Sequence, residues 1–285
     1  MENRMSREQK SIARFVTWIL RLFGLVMIKR VTHQEILRQA SKGPSHFREM
    51  GNLRDWKVFY FFSYDYTLFE NLRPKSKSQL GQDLLAIAVS QARTGGFFVE
   101  FGATNGVDLS NTFLLEKELG WTGILAEPGK IWSKGLRESR TAQISTKAVW
   151  SSTGESLSFL ETTDPELSTL SGFADSDSHT RTGSSYQVET VSLLDLLRQG
   201  NAPSFIDFIS IDTEGSEFAV LENFDFSQYR FGLMCIEHNF SKRRNAVVAL
   251  LLKNGYEQIF PELSLWDDWF VPKSRVNFSA RGEAG

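Results

Sequence analysis

The 285 residues are 41% hydrophobic and 23% charged, with a formal net charge of −2, so the chain can bury one sizeable core and has no general attraction for polyanions. With no Lys/Arg run inside the central region, nucleic acid is not an expected partner. The single cysteine, Cys235, lies in an apolar run, which rules out an intrachain disulfide and a cysteine-based zinc site and fits a reducing, cytoplasmic setting.

The first thirty residues are strongly basic, with Arg4, Arg7, Lys10, Arg14, Arg21, Lys29 and Arg30 against Glu2 and Glu8. Ile12, Phe15, Val16, Ile19, Leu22, Phe23 and Val26 recur at helical spacing, which predicts an amphipathic basic helix. Arg21 at the centre of the apolar run would cost roughly 2.5 to 3.5 kcal/mol in a bilayer, so a transmembrane span is not expected. The helix either packs on its own domain or on a second copy of the chain, or makes a peripheral membrane contact through residues 11–30. Residues 1–78 therefore read as an N-terminal extension, closing with an aromatic cluster from Trp56 to Tyr66 that suits a cap or an oligomer surface.

From Gln79 helices and strands take turns, which predicts an α/β domain over residues 79–273 built on a parallel sheet, with 274–285 as a tail. The expected order is helix Gln82 to Arg93, strand Phe97 to Phe101, helix Leu109 to Leu119, strand Gly123 to Ala126 and strand Ser145 to Trp150. A hairpin follows over Ser151 to Leu160, then a polar loop or lid from Thr162 to Ser185. The alternation resumes with helix Leu193 to Arg198, strand Phe205 to Ile211, helix Glu217 to Phe224, strand Gly232 to Ile236, helix Arg243 to Asn254, and strands near Tyr256 to Phe260 and Trp269 to Val271.

Four strand ends carry the chemistry. Phe97 to Gly106 is an apolar strand feeding a turn with Gly102 and Gly106, whose spacing departs from the dinucleotide fingerprint and provides no pyrophosphate site. Glu127, just past the next strand, is placed to accept both hydroxyls of a ribose, so turn and acid together suit a nucleoside without phosphates. The strand ending Ile211-Asp212-Thr213-Glu214 brings acids to the same edge, though Asp212 to Ser216 could equally cap the next helix. Glu237 and His238 follow the neighbouring strand; with Asp212 they could hold a divalent cation, or His238 could activate a hydroxyl or serve only as a hydrogen-bonded strand end.

These stretches resemble the FkbM-type methyltransferases: Ser78 to Asp83, Phe98 to Gly102 with Gly106, Ser110-Asn111-Thr112, Glu127-Pro128, Ala148-Val149, Glu189-Thr190-Val191, Asp207 to Glu217 and Asn254-Gly255-Tyr256. The resemblance implies a Rossmann-like, seven-stranded, mostly parallel sheet (the class I methyltransferase fold) with its last strand antiparallel, S-adenosylmethionine as methyl donor, and transfer to oxygen of a sugar, glycan or secondary metabolite. It implies that Glu100, Gly102, Asn105 and Gly106 border the amino acid part of the donor, that Glu127 holds the ribose, and that Ala148 flanks the adenine. Asp212 and Glu214 would face the acceptor, with His238 or Glu214 as base. Related sugar methyltransferases imply a magnesium set at Asp212, Glu237 and His238. The rival expectations are a catalytically silent interaction protein keeping the same fold, and a membrane-tethered scaffold.

Overall fold

The computed structural model describes residues 66–275; the expected basic helix and most of the aromatic-rich region before Ser78 lie outside the described residues. No helix among the described residues is long and apolar enough to cross a membrane. In chain order the elements are α1 (Tyr66–Leu72), α2 (Gln82–Val89), β1 (Phe97–Phe101), α3 (Phe113–Leu119), β2 (Thr122–Ala126), α4 (Ser133–Ser139), β3 (Gln143–Ser145), β4 (Ala148–Trp150), β5 (Ser156–Thr162), β6 (Thr169–Leu170) and β7 (Gly183–Ser192). After these come α5 (Leu193–Gln199), β8 (Phe205–Ile211), α6 (Glu217–Leu221), β9 (Arg230–Glu237), α7 (Arg244–Lys253), β10 (Tyr256–Ile259) and β11 (Asp267–Pro272).

Seven strands form one mixed sheet in the order β10-β11-β9-β8-β1-β2-β3. The pairings β8 to β9, β1 to β8, β1 to β2 and β2 to β3 are parallel, whereas β11 is antiparallel to both β9 and β10. The central strands are near-continuous apolar runs because helices cover both faces of a sheet joined by crossovers. Val99, Phe101, Ile209, Ile211, Met234 and Ile236 are almost fully buried and pack with Leu196, Leu197 and Leu251 from α5 and α7. Every residue of α2 is buried, so that helix belongs to the interior rather than to an amphipathic surface layer.

A second sheet has the order β4-β7-β5-β6. It corrects the sequence reading of residues 145–160. The expected strand Ser145 to Trp150 is two strands in two sheets: β3 stays beside β2, and after the polar step Thr146-Lys147 the chain enters β4 and pairs parallel with β7. The expected hairpin is absent because ten-residue β7 lies between β4 and β5, pairing antiparallel with β5 from Ser156 to Thr162. Alternation of residue types can mark a strand, but its partner is set by a segment thirty residues downstream. Val149 and Val191 of this sheet enter the core of the large one, so the two are packed as one body.

Candidate functional site

The loops at the carboxyl ends of β1, β2, β8 and β9 and the loop leading into β11 surround a cavity of about 490 Å³. One wall is the donor-type turn expected from sequence. Gly102 has φ +71, and a Cβ there would meet the Asp212 carbonyl oxygen at 2.3 Å, so only glycine lets the ends of β1 and β8 approach this closely. Glu100 and Gly102 line the cavity, as do Glu127 and Ala148. Asn105 and Gly106 do not: the Asn105 amide folds onto its own loop, accepting from the Val107 and Asp108 amides at 2.9 Å, and Gly106 packs against Leu136, Ser139 and Arg140. The second glycine is thus required by the approach of α4.

Glu127 is 5% exposed. Its Oε2 accepts from the Thr104 amide at 3.0 Å and its Oε1 from the Gly129 amide at 2.7 Å, and burial outweighs those bonds to push its carboxyl up to about 7. Glu100 organises the opposite loop, accepting from the Ser110 hydroxyl at 3.0 Å, the Asn111 amide at 2.6 Å and the Thr112 hydroxyl at 2.5 Å, with the wholly covered Arg140 side chain 3.7 Å away. Lys147, Ala148, Val149 and Phe159 line the cavity from the small sheet, with Trp132 from the β2 side.

Across the cavity the acids converge. Oxygens of Asp212, Glu214 and Glu237 lie within 4.8 Å of one another. Burial, reinforced by mutual repulsion, holds the carboxyls of Asp212 and Glu237 well above the ordinary range, and they share a hydrogen bond. Glu214 is raised by burial to about 7 although Arg181 opposes the shift. The capping alternative for this loop falls to another residue: Glu217 Oε1 accepts from the Thr213 and Gly215 amides at 3.1 and 2.9 Å.

His238 is not brought to these acids. Its Nδ1 accepts from the Phe240 amide at 3.0 Å, its Nε2 faces Asp268 Oδ1 at 3.7 Å, and burial lowers its pKa, so the set Asp212, Glu237 and His238 gives way to Asp212, Glu214 and Glu237. His238 lies one residue past the end of β9, where its side chain is turned to the Phe240 amide and Asp268 rather than to the acids.

Sequence reasoning missed Arg181, which lies in the expected lid. Its side chain is fully covered and donates to Asp177 at 2.7 and 2.8 Å, to Glu214 at 2.5 Å and to the Leu167 and Ala174 carbonyls at 2.9 and 3.2 Å. The segment is therefore a fastened wall with its own short strand, β6, rather than a loose loop. Gln82, which donates to Asp267 Oδ2 at 2.8 Å, and Asn111, which donates to the Ser210 hydroxyl at 2.9 Å, also line the cavity. A lone arginine among Ser and Thr gives no sequence signal of such a role.

Residues 100–263, more than half of the chain, match the Methyltransferase FkbM domain. The chain belongs to the FkbM methyltransferase family. No curated protein matches it. The FkbM region runs from Glu100 to Leu263, so it takes in the β1 turn, Glu127, the small sheet and all three converging acids, and leaves only Gln79, Gln82, Trp266 and Asp267 of the cavity outside.

Proposed function

We propose that the protein is an S-adenosylmethionine-dependent O-methyltransferase whose acceptor is a hydroxyl of a sugar, glycan or related metabolite, on a sheet of the class I methyltransferase arrangement. The observation that carries the reading is Glu127: a buried carboxylate at the cavity, one strand over from the Gly102 turn, with one amide on each oxygen and acceptor capacity left over. A vicinal diol supplies the two donors such a group lacks, and Ala148, Val149 and Trp132 offer an apolar seat for a base. The donor contributes an electrophilic methyl on a sulfonium. The chain contributes alignment and proton removal. Gly102 lets the turn close on β8, the wall from Pro165 to His179 limits water, and Glu214, beside Asp212 and Glu237, accepts the hydroxyl proton. Glu214, raised to about 7, is poised to act near neutrality.

Magnesium is a second reading for those acids, favoured by three carboxylates within 4.8 Å of one another, of which Glu214 alone is paired with Arg181 among the described residues. The ion would be held by Asp212, Glu214 and Glu237, without His238, and would acidify the acceptor hydroxyl.

Calorimetric titration with S-adenosylhomocysteine is the test, run with and without magnesium. Micromolar binding by the wild type, lost in Glu127→Ala, is the expected outcome. A folded wild type that binds no S-adenosylhomocysteine removes the reading.

A further inference from the structure

Phe240 is the most exposed of the large apolar side chains among the described residues, at 72%, and it lines the mouth of the cavity. Its φ is +57 and that of Asn239 before it is +40, a left-handed conformation that bulky residues avoid. Two costs are thus met at one position, an aromatic ring left in water and a strained backbone beneath it, and strain of this kind gathers where function needs a side chain aimed.

The ring is held rather than loose. The Phe240 amide donates to His238 Nδ1 at 3.0 Å, and the imidazole meets the phenyl edge-to-face with centroids 5.2 Å apart. Asn239 is tied through its side chain to Glu214 Oε2 at 3.3 Å and through its amide to the Trp266 carbonyl at 3.3 Å. Leu109, also with positive φ and 38% exposed, lines the same cavity from the β1 side. Apolar groups therefore edge a pocket whose floor is Asp212, Glu214, Glu237 and Asn111, all able to accept hydrogen bonds from hydroxyls.

We propose that Phe240 is the platform on which the acceptor lies, and that the acceptor presents a pyranose ring at this point. A pyranose has the matching chemistry: a face of C–H groups that packs on an aromatic ring, and a rim of hydroxyls that reaches carboxylates and amides. A wholly apolar acceptor would leave the acid floor unpaired, and an open-chain polyol would leave Phe240 uncovered. This inference rests on the methyltransferase reading and adds to it a specificity-determining residue.

The test is saturation-transfer NMR on the full chain loaded with S-adenosylhomocysteine, against a panel of methyl hexopyranosides. At least one glycoside should take up saturation at its ring C–H protons; Phe240→Ala should weaken it about tenfold or more, and Phe240→Trp should retain it. S-adenosylhomocysteine affinity should be equal in all three proteins, and because the side chain is largely in solvent its truncation opens no core. Absence of glycoside binding by loaded wild type, or equal binding by Phe240→Ala, overturns the proposal. Failure of the folded wild type to bind S-adenosylhomocysteine instead brings down the methyltransferase reading, and this inference with it.

Discussion

Glu127 has a carboxyl at about 7, raised from 4.5, because it is buried and its two amide bonds do not fully replace water. A ribose diol donates to the ionised form, so donor affinity should follow the ionised fraction. S-adenosylhomocysteine binding is expected to tighten by up to about tenfold per pH unit below 7 and to level off above it. Glu127→Gln should flatten that profile while weakening binding throughout, and calorimetry over a pH series checks both. A wild-type profile that is flat across this range would mean that Glu127 does not meet the diol. Glu127 was legible from sequence because a strand followed by an acid places it at a sheet edge. The orientation of His238 was not, because whether a strand-end residue turns in or out depends on where the pleat stops.

Between β5 and β7 the chain looks like a lid by composition, yet Arg181 binds it down with five hydrogen bonds, and the Thr169 and Ser176 hydroxyls both reach the Glu214 carbonyl. Arg181→Met leaves Asp177 and Glu214 without their cation in a covered site, and breaking such a pair costs about 3 to 5 kcal/mol. Faster amide exchange over residues 165–182 is expected, with a lower melting temperature and partial recovery in Arg181→Lys. Unchanged exchange in Arg181→Met would show that the pairing of β6 with β5 holds the wall unaided. The same segment shows where sequence reading ran out. Strands β1 and β8 were legible to the residue because their apolar runs announce central positions, whereas two-residue β6 and the β4 to β7 pairing depend on contacts that no local pattern encodes.

Over the whole molecule the buried acids set the pH response. Glu127 at about 7 and Asp83 at about 6 are both raised by burial, and Asp212, Glu214, Glu217 and Glu237 are shifted the same way. A carboxyl raised on folding adds stability that is complete below its unfolded value and is lost as pH rises through its folded one. For Glu127 and Asp83 this loss amounts to roughly 3 kcal/mol each. Asp177 runs the opposite way: burial works to raise it, but Arg181 holds it at about 2, so its contribution is present above about 3.8 and lost on acidification. The ligand-free protein is therefore expected to be most stable in mild acid and to lose stability toward pH 8, as read by urea titration at pH 5 and pH 8. Greater stability at pH 8 would contradict the assignment of these groups. The parallel centre of the mixed sheet and its cavity-bearing edge followed from alternating elements; the second sheet, which adds one side of the cavity wall, did not.

Residues 148–192 leave the large sheet after β3, build their own sheet and return at α5, supplying Lys147-adjacent Ala148, Phe159 and the wall from Pro165 to His179 to the cavity. Glu127 and the Gly102 turn stay with the large sheet. Substitutions confined to one excursion of the chain can therefore reshape one side of the pocket while Glu127, the Gly102 turn and the three acids keep their places on the large sheet.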